Sequence, residues 1–349
     1  MHSNYVRGLA AALAVPAVLL VGVSGGTRAG AAEQVLNLYT SRHYQTDEAL
    51  YDGFTKATGI KINRIEGKED ALIERIKSEG ANSPADVLIT VDAGRLWRAE
   101  QAGLFRPVHS AVLEARIPAS LRHPDGLWFG FSQRARLIFY DKARIKAGEI
   151  KTYEDLADPK WRGQICIRSS SNMYNLSLLG AMIASDGEAA AEAWAKGVVA
   201  NFAHPPHGGD TDQIRAVAAG DCGIGVANSY YYARLLASDK DDERTAAQSL
   251  GVVFPNQDGR GTHINISGGG VLKAAPHPDA AVRFLEYLAS DEAQRLFSDG
   301  NNEYPVVADV PANPILVGLG AFKADTLNVK HLGENQPLAQ KIFDRVGWP

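Results

Sequence analysis

The sequence predicts an α/β fold of two lobes joined by a hinge, with a ligand cleft between them, and three observations carry that expectation. Short apolar and β-branched runs alternate with amphipathic helical stretches along most of the chain, the pattern of helices covering mainly parallel sheets. Two extended stretches, 128–140 and 251–271, stand where the chain would cross from one lobe to the other and return. Three strand-to-loop junctions each carry a tyrosine, and in open α/β sheets ligands collect at such junctions.

Taken in order, residues 1–32 read as a secretory signal rather than as part of the fold. Arg7 supplies the positive start, 9–23 is apolar, and Ala29-Gly30-Ala31-Ala32 offers small residues for cleavage near Ala31 to Glu33. No cysteine near that point can accept a lipid, and no later apolar run is long enough to span a bilayer. An exported, periplasmic protein is expected.

Residues 35–39 form a first strand, Thr46 caps a helix running to Lys56, and Gly59 ends it. A strand over 60–65, a helix over 71–78 stopped by Gly80 and a buried strand over 85–90 complete a βαβαβ opening. The stretch 128–140 lacks proline and sets Arg134 and Arg136 on one side. A loop and short helix over 152–163 lead to a strand at Cys166, and 172–184, 188–199 and 211–219 are helical, the last ended by Gly220. Residues 223–229 are a buried strand turning into a helix with a polar cap, and the return crossing encloses the loop 255–261. Helices over 279–289 and 292–297 and a proline-punctuated segment, 304–314, lead into a helical tail. The expected lobes are 33–128 with 258–305, and 129–257 with 306–349.

The chain has 36 basic and 40 acidic residues and a net charge of −4, with the basic residues scattered, which argues against nucleic acid as a partner. Its two cysteines, Cys166 and Cys222, lie in an oxidising compartment if the chain is exported, so a structural bridge between neighbouring strand segments is favoured. Two cysteines so far apart make a poor zinc signature.

The chemistry centres on Tyr230-Tyr231-Tyr232 at the start of a helix. A phenol titrates near pH 10 and becomes an anionic oxygen ligand at neutral pH only beside strong positive charge, such as a hard trivalent cation. The unpaired N–H groups of a helix start add to that charge. Aromatic packing is the alternative reading of the same triplet.

Three junctions read together resemble the periplasmic ferric-iron-binding proteins of ABC transporters, of the FbpA and FutA type. They are Tyr39-Thr40-Ser41-Arg42-His43-Tyr44, the run from Ile167 through Ser169-Ser170-Ser171-Asn172-Met173-Tyr174, and Asn228-Ser229-Tyr230-Tyr231-Tyr232-Ala233-Arg234. Further matching pieces include Gly209-Asp210-Thr211-Asp212 and Asn265-Ile266-Ser267-Gly268-Gly269-Gly270. The resemblance implies a periplasmic solute-binding fold that holds Fe(III) as transported ligand and hands it to a permease in the inner membrane, as a monomer and without catalysis. It implies Tyr44 from the first lobe and Tyr174, Tyr230 and Tyr231 from the second as metal ligands, with His43 either a ligand or beside the metal. Arg234, one helical turn after Tyr230, would offset the negative charge of four phenolates. Tyr232 is expected to pack elsewhere. The serine run reads as capping or as an anion seat, and no Glu or Asp ligand is matched.

Two other readings stay open at this point. The tyrosines could form an aromatic box for an organic cation or anion. A secreted hydrolase using His43, His204, His207 or His263 as a base has less support, since no G-x-S-x-G, H-E-x-x-H or P-loop pattern is present.

Overall fold

The computed structural model describes Met1, residues 34–42 and residues 44–349. Apart from Met1, the expected signal segment 1–32 lies outside the described residues. Among the described residues nine strands form in chain order: β1 Val35–Thr40, β2 Lys61–Glu66, β3 Val87–Val91, β4 Phe129–Asp141, β5 Ile165–Cys166, β6 Ile224–Asn228, β7 Leu250–Val253, β8 Ile264–Val271 and β9 Tyr304–Pro305. They are linked in the order β2-β1-β3-β8-β4-β6-β5, with β7 and β9 also paired to β4.

The sheet is mixed rather than mainly parallel. β1 pairs parallel with β2 and β3, and β5 with β6. β3–β8, β4–β8, β4–β6, β4–β7 and β4–β9 are antiparallel. The cause is the two extended stretches, whose strands β4 and β8 run against each other and against their neighbours. β4 serves two partners in succession: Phe129 to Ala135 pairs with β8, and Arg136 to Tyr140 pairs with β6.

The apolar residues divide along β4. Phe129 and Phe131 join Leu36, Leu38, Leu88, Ile266 and Phe284 in one buried cluster. Ile138, Ile165, Leu179, Trp194, Val226 and Phe343 form a second, and Leu137, Phe139, Ile214 and Ala227 a third on the opposite face of the same strands. The tail, expected in the second lobe, is shared: Val306, Val310 and Val329 pack in the first cluster, whereas Ala339, Ile342 and Trp348 pack in the second. Side chains therefore alternate along β4 between two faces that are both covered, and eleven of its thirteen residues are buried.

Local signals place most helix ends. Gly59 and Gly220 take left-handed conformations, with φ 74° and 82°, where the two preceding helices stop. Asn172 caps the helix Met173–Asp186 by accepting from the Asn175 N–H. Thr46 does not cap: its hydroxyl donates to Asn301 Oδ1 at 2.7 Å, and a 3-10 turn, Gln45–Asp47, precedes the helix Glu48–Thr58. The helices Ala93–Gln101, Ala111–Arg116 and Asp241–Ser249 were not foreseen; they are short, and their apolar stripes hold few residues. Cys166 and Cys222 are bridged, with Cα atoms 6.0 Å apart, because β5 and β6 are parallel neighbours. Closing a loop of that span stabilises the fold by about 4 kcal/mol in the chain-entropy picture.

The glycine triplet of β8 reflects crowding between β3 and β4. A Cβ on Gly270 would stand 2.2 Å from the Leu127 carbonyl oxygen and 2.8 Å from the Phe105 ring. Gly270→Ala should therefore destabilise the protein by about 1–3 kcal/mol, as overpacking does, read as a lower urea midpoint with the far-UV spectrum retained.

Candidate metal centre

The loop after β1 is fixed from below by Arg42, which is 3% exposed. Its Nε and Nη2 donate to the two Asp47 carboxylate oxygens at 2.8 and 2.9 Å, and its Nη1 donates to Ser267 Oγ and Glu303 Oε2 at 2.7 and 3.0 Å. The same guanidinium lies 4.9 Å from the centre of the Tyr44 ring. His43 lies outside the described residues.

β5 leads through Arg168 into the helix Met173–Asp186, which carries Tyr174 in its first turn. β6 leads directly into the helix Ser229–Leu236, which carries Tyr230 and Tyr231. The Tyr174 and Tyr230 hydroxyls are 3.2 Å apart, and the Tyr230 and Tyr231 rings lie side by side with centroids 4.2 Å apart. Consecutive helical residues point about 100° apart, so these two converge only because they stand at the open end of the helix. Arg234 brings the set together, its guanidinium 4.9 Å from the Tyr44 ring centre, 5.0 Å from that of Tyr230 and 6.0 Å from that of Tyr231. Tyr44, Tyr174, Tyr231, Arg168 and Arg234 line one cavity of ≈ 380 Å³. A larger recess of ≈ 650 Å³, bounded by Ile76, Leu104 and Leu272, holds no comparable donors.

Tyr232 turns away: its ring packs 4.9 Å from Phe139, and its hydroxyl donates to the Ala247 carbonyl at 3.0 Å. Asn228 does not cap the helix through its side chain, because its Oδ1 accepts from Arg136 Nη1 at 3.0 Å. In the serine run, Ser170 N–H donates to the Pro349 carbonyl, Ser169 and Ser171 pair through their hydroxyls, and the capping falls to Asn172.

Beneath the phenols lies a layer of buried charge. Arg134 sits 5.7 Å from the Tyr230 ring centre and pairs with Glu303; Arg136 sits 5.7 Å from that of Tyr174 and pairs with Asp210 at 2.6 Å. Their spacing along β4 put both on one side, as expected. The two carboxylates were not foreseen: two buried arginines require partners, but 40 acidic residues offer no sequence rule for choosing among them. Asp210, fully buried, also accepts from the Asn228 N–H at 2.7 Å, which ties the cap of the tyrosine helix to the same charge.

Burial raises the pKa of Tyr44, and Glu303 raises it further, against the opposing pull of Arg42, Arg134 and Arg234. Tyr174 and Tyr230 are raised more strongly, first by burial and then by the neighbouring tyrosines. Tyr44, Tyr174 and Tyr230 therefore hold their phenol protons at neutral pH unless a cation joins them. His263, considered as a base, is buried and held neutral, its pKa lowered to about 3 by burial and by Arg136 and Arg260.

These features define a bacterial solute-binding protein of two lobes, with an oxygen-donor seat at the strand ends. The chain belongs to the bacterial extracellular solute-binding proteins, whose family model matches residues 49–326. It is similar to Iron uptake protein A2 of Synechocystis sp., 55% identical over 323 residues that cover 92% of each chain. The structure resembles that of Trichodesmium FutA (IdiA) in complex with iron and citrate, at 60% identity and TM-score 0.88, covering 90% of this chain and 100% of that one. The ferric binding protein of Campylobacter jejuni is also similar, at 44% identity and TM-score 0.84, with 90% and 100% covered.

Burial raises the Glu303 pKa, and Arg42 and Arg134 more than reverse that, holding it at about 2. Its ion pairs thus contribute stability that is complete above the unfolded value of about 4.3 and lost as pH falls towards 2. Glu303→Gln, which leaves Arg134 without a carboxylate and Arg42 with Asp47 alone, should cost roughly 3–5 kcal/mol and flatten the acid limb of stability against pH, measured by denaturant melts from neutral to acid.

Proposed function

We propose that this protein is a periplasmic carrier of ferric iron. It takes Fe(III) between its lobes through the phenolate oxygens of Tyr44, Tyr174, Tyr230 and Tyr231, with His43 either a further ligand or beside the metal. It then delivers the ion to an ABC permease in the inner membrane. The observation that carries this reading is the convergence of four phenol rings from three separate junctions, three of them around Arg234 and the fourth hydrogen-bonded to Tyr230.

Fe(III) is small and hard and prefers anionic oxygen to sulfur. Its charge drives off the phenol protons that burial otherwise retains. Four phenolates around Fe(III) carry one excess negative charge, which Arg234 offsets. Tyr174, Tyr230 and Tyr231 stand on two helices led by adjacent strands and meet the ion first; Tyr44, on the far side of the cavity, completes the shell as the lobes close. The protein works as an exported monomer, its signal removed near Ala31 to Glu33, binds no nucleic acid and turns nothing over. The iron is its cargo.

Tyr230→Phe and Tyr231→Phe should each remove the visible phenolate-to-iron band and most of the affinity. Iron titration followed by absorbance and intrinsic fluorescence, with citrate and a polyamine as comparison ligands, reads both; a coloured, tight-binding double variant would overturn the site.

Because every phenol that becomes a ligand gives up a proton, iron affinity should fall as pH is lowered. Competition with a chelator of known pH dependence measures the slope, and an affinity unchanged between neutral and mildly acid solution would exclude phenolate donors.

A further inference from the structure

A second set of metal-ligating atoms lies behind the tyrosine helices. Cys166 Sγ, Cys222 Sγ and a ring nitrogen of His204 all stand within 4.8 Å of one another. His204 Nε2 is 3.1 Å from Cys166 Sγ, and its Nδ1 is 3.0 Å from the Pro205 carbonyl oxygen. A carbonyl only accepts, so Nδ1 carries a proton towards Pro205 and Nε2 is the nitrogen that faces the sulfur. One nitrogen fixed by a backbone carbonyl and the other aimed outward is the arrangement of a metal-ligating imidazole. His207 stands beside it, ring centroids 4.5 Å apart, its Nδ1 3.2 Å from the same carbonyl. Pro205 and Pro206 stiffen the turn that presents both rings.

The surroundings suit a thiolate site. Both cysteines are 1% exposed, while His204 is half-buried and gives access. Cys222 lies ahead of the first ladder residue of β6, so its sulfur can draw away from Cys166 without breaking the β5–β6 pairing at Ile165 and Ile224.

We propose that the dithiol form of this protein binds one divalent cation of the Zn(II) class through Cys166, Cys222 and His204, leaving the fourth tetrahedral position to water or to the adjacent His207. Bridge and cation are then alternative occupants of the same place. A dithiol reductant opens the bridge by exchange: the S–S bond breaks, both cysteines leave as thiols, and the reductant ends as its own disulfide. The cation displaces the two thiol protons to solvent as two metal–sulfur bonds form. This centre uses none of the ferric ligands.

The test is to reduce the mature protein with excess dithiol, remove the reductant under anaerobic conditions and titrate Co(II) as a spectroscopic stand-in for zinc. One equivalent should produce thiolate-to-cobalt charge transfer and the intense visible bands of tetrahedral cobalt, both erased by Zn(II) and both absent from the oxidised protein. His204→Ala, which keeps the bridge, should weaken cobalt binding about tenfold or more once reduced, and Cys222→Ser should abolish the charge-transfer band. Cobalt at the tyrosines would show no thiolate band. Reduced protein with a native circular dichroism spectrum and no such bands, an unchanged affinity in His204→Ala, or loss of the native spectrum on reduction would each overturn the proposal.

Discussion

Everything at the centre of this molecule depends on positive charge held next to phenol. Buried phenols cling to their protons, and the neighbouring rings add to that tendency in Tyr174 and Tyr230. Guanidiniums within 6 Å of the ring centres of Tyr44, Tyr174 and Tyr230 act in the opposite sense. Arginine suits the task because it stays charged when buried and spreads that charge over a planar group that stacks against rings. The arginines supply a standing positive potential at the phenol oxygens.

That arrangement is only stable if the guanidiniums are themselves matched. Glu303 serves Arg42 and Arg134 together, Asp210 serves Arg136 and reaches Arg168 at 3.5 Å, and Asp47 takes the other face of Arg42. Ser267, Asn175 and Asn228 accept from further guanidinium N–H groups and Ser132 donates to Glu303, while Arg134 Nε and Nη1 and Arg136 Nε stay without a hydrogen-bond partner among the described residues. The backbone follows from this layer: β4 brings Arg134 and Arg136, β8 brings Ser267, and β6 delivers both Asn228 and the tyrosine helix.

Much of this was legible from the residues. The alternation of strands and helices gave the α/β class, the two extended stretches marked the strands that join the halves, and the junctions after β1, β5 and β6 marked the tyrosines. The resemblance matches Tyr230 and Tyr231 and leaves Tyr232 out, and Tyr232 packs against Phe139. What stayed hidden was set by partners distant in sequence. Glu303 is a single acid between Asn302 and Tyr304, and only the fold shows that it meets Arg42 and Arg134. Thr46 and Asn228 look like caps, yet both side chains are claimed by tertiary partners, Asn301 and Arg136. Strand direction was misjudged because antiparallel pairing depends on how the crossings are routed, which periodicity does not encode. His204 and His207, flanking Pro205 and Pro206, read as possible bases in the sequence, and the approach of His204 to both sulfurs is a property of the fold alone.

The continuity of β4 has a further consequence. Its thirteen residues pass from one hydrophobic cluster to the next with their peptide groups paired to β8 on one stretch and to β6 on the other. A protease needs an extended, unpaired segment to enter its active-site groove, and this connection offers none. At this crossing the halves of the molecule therefore resist being cut apart into separate fragments.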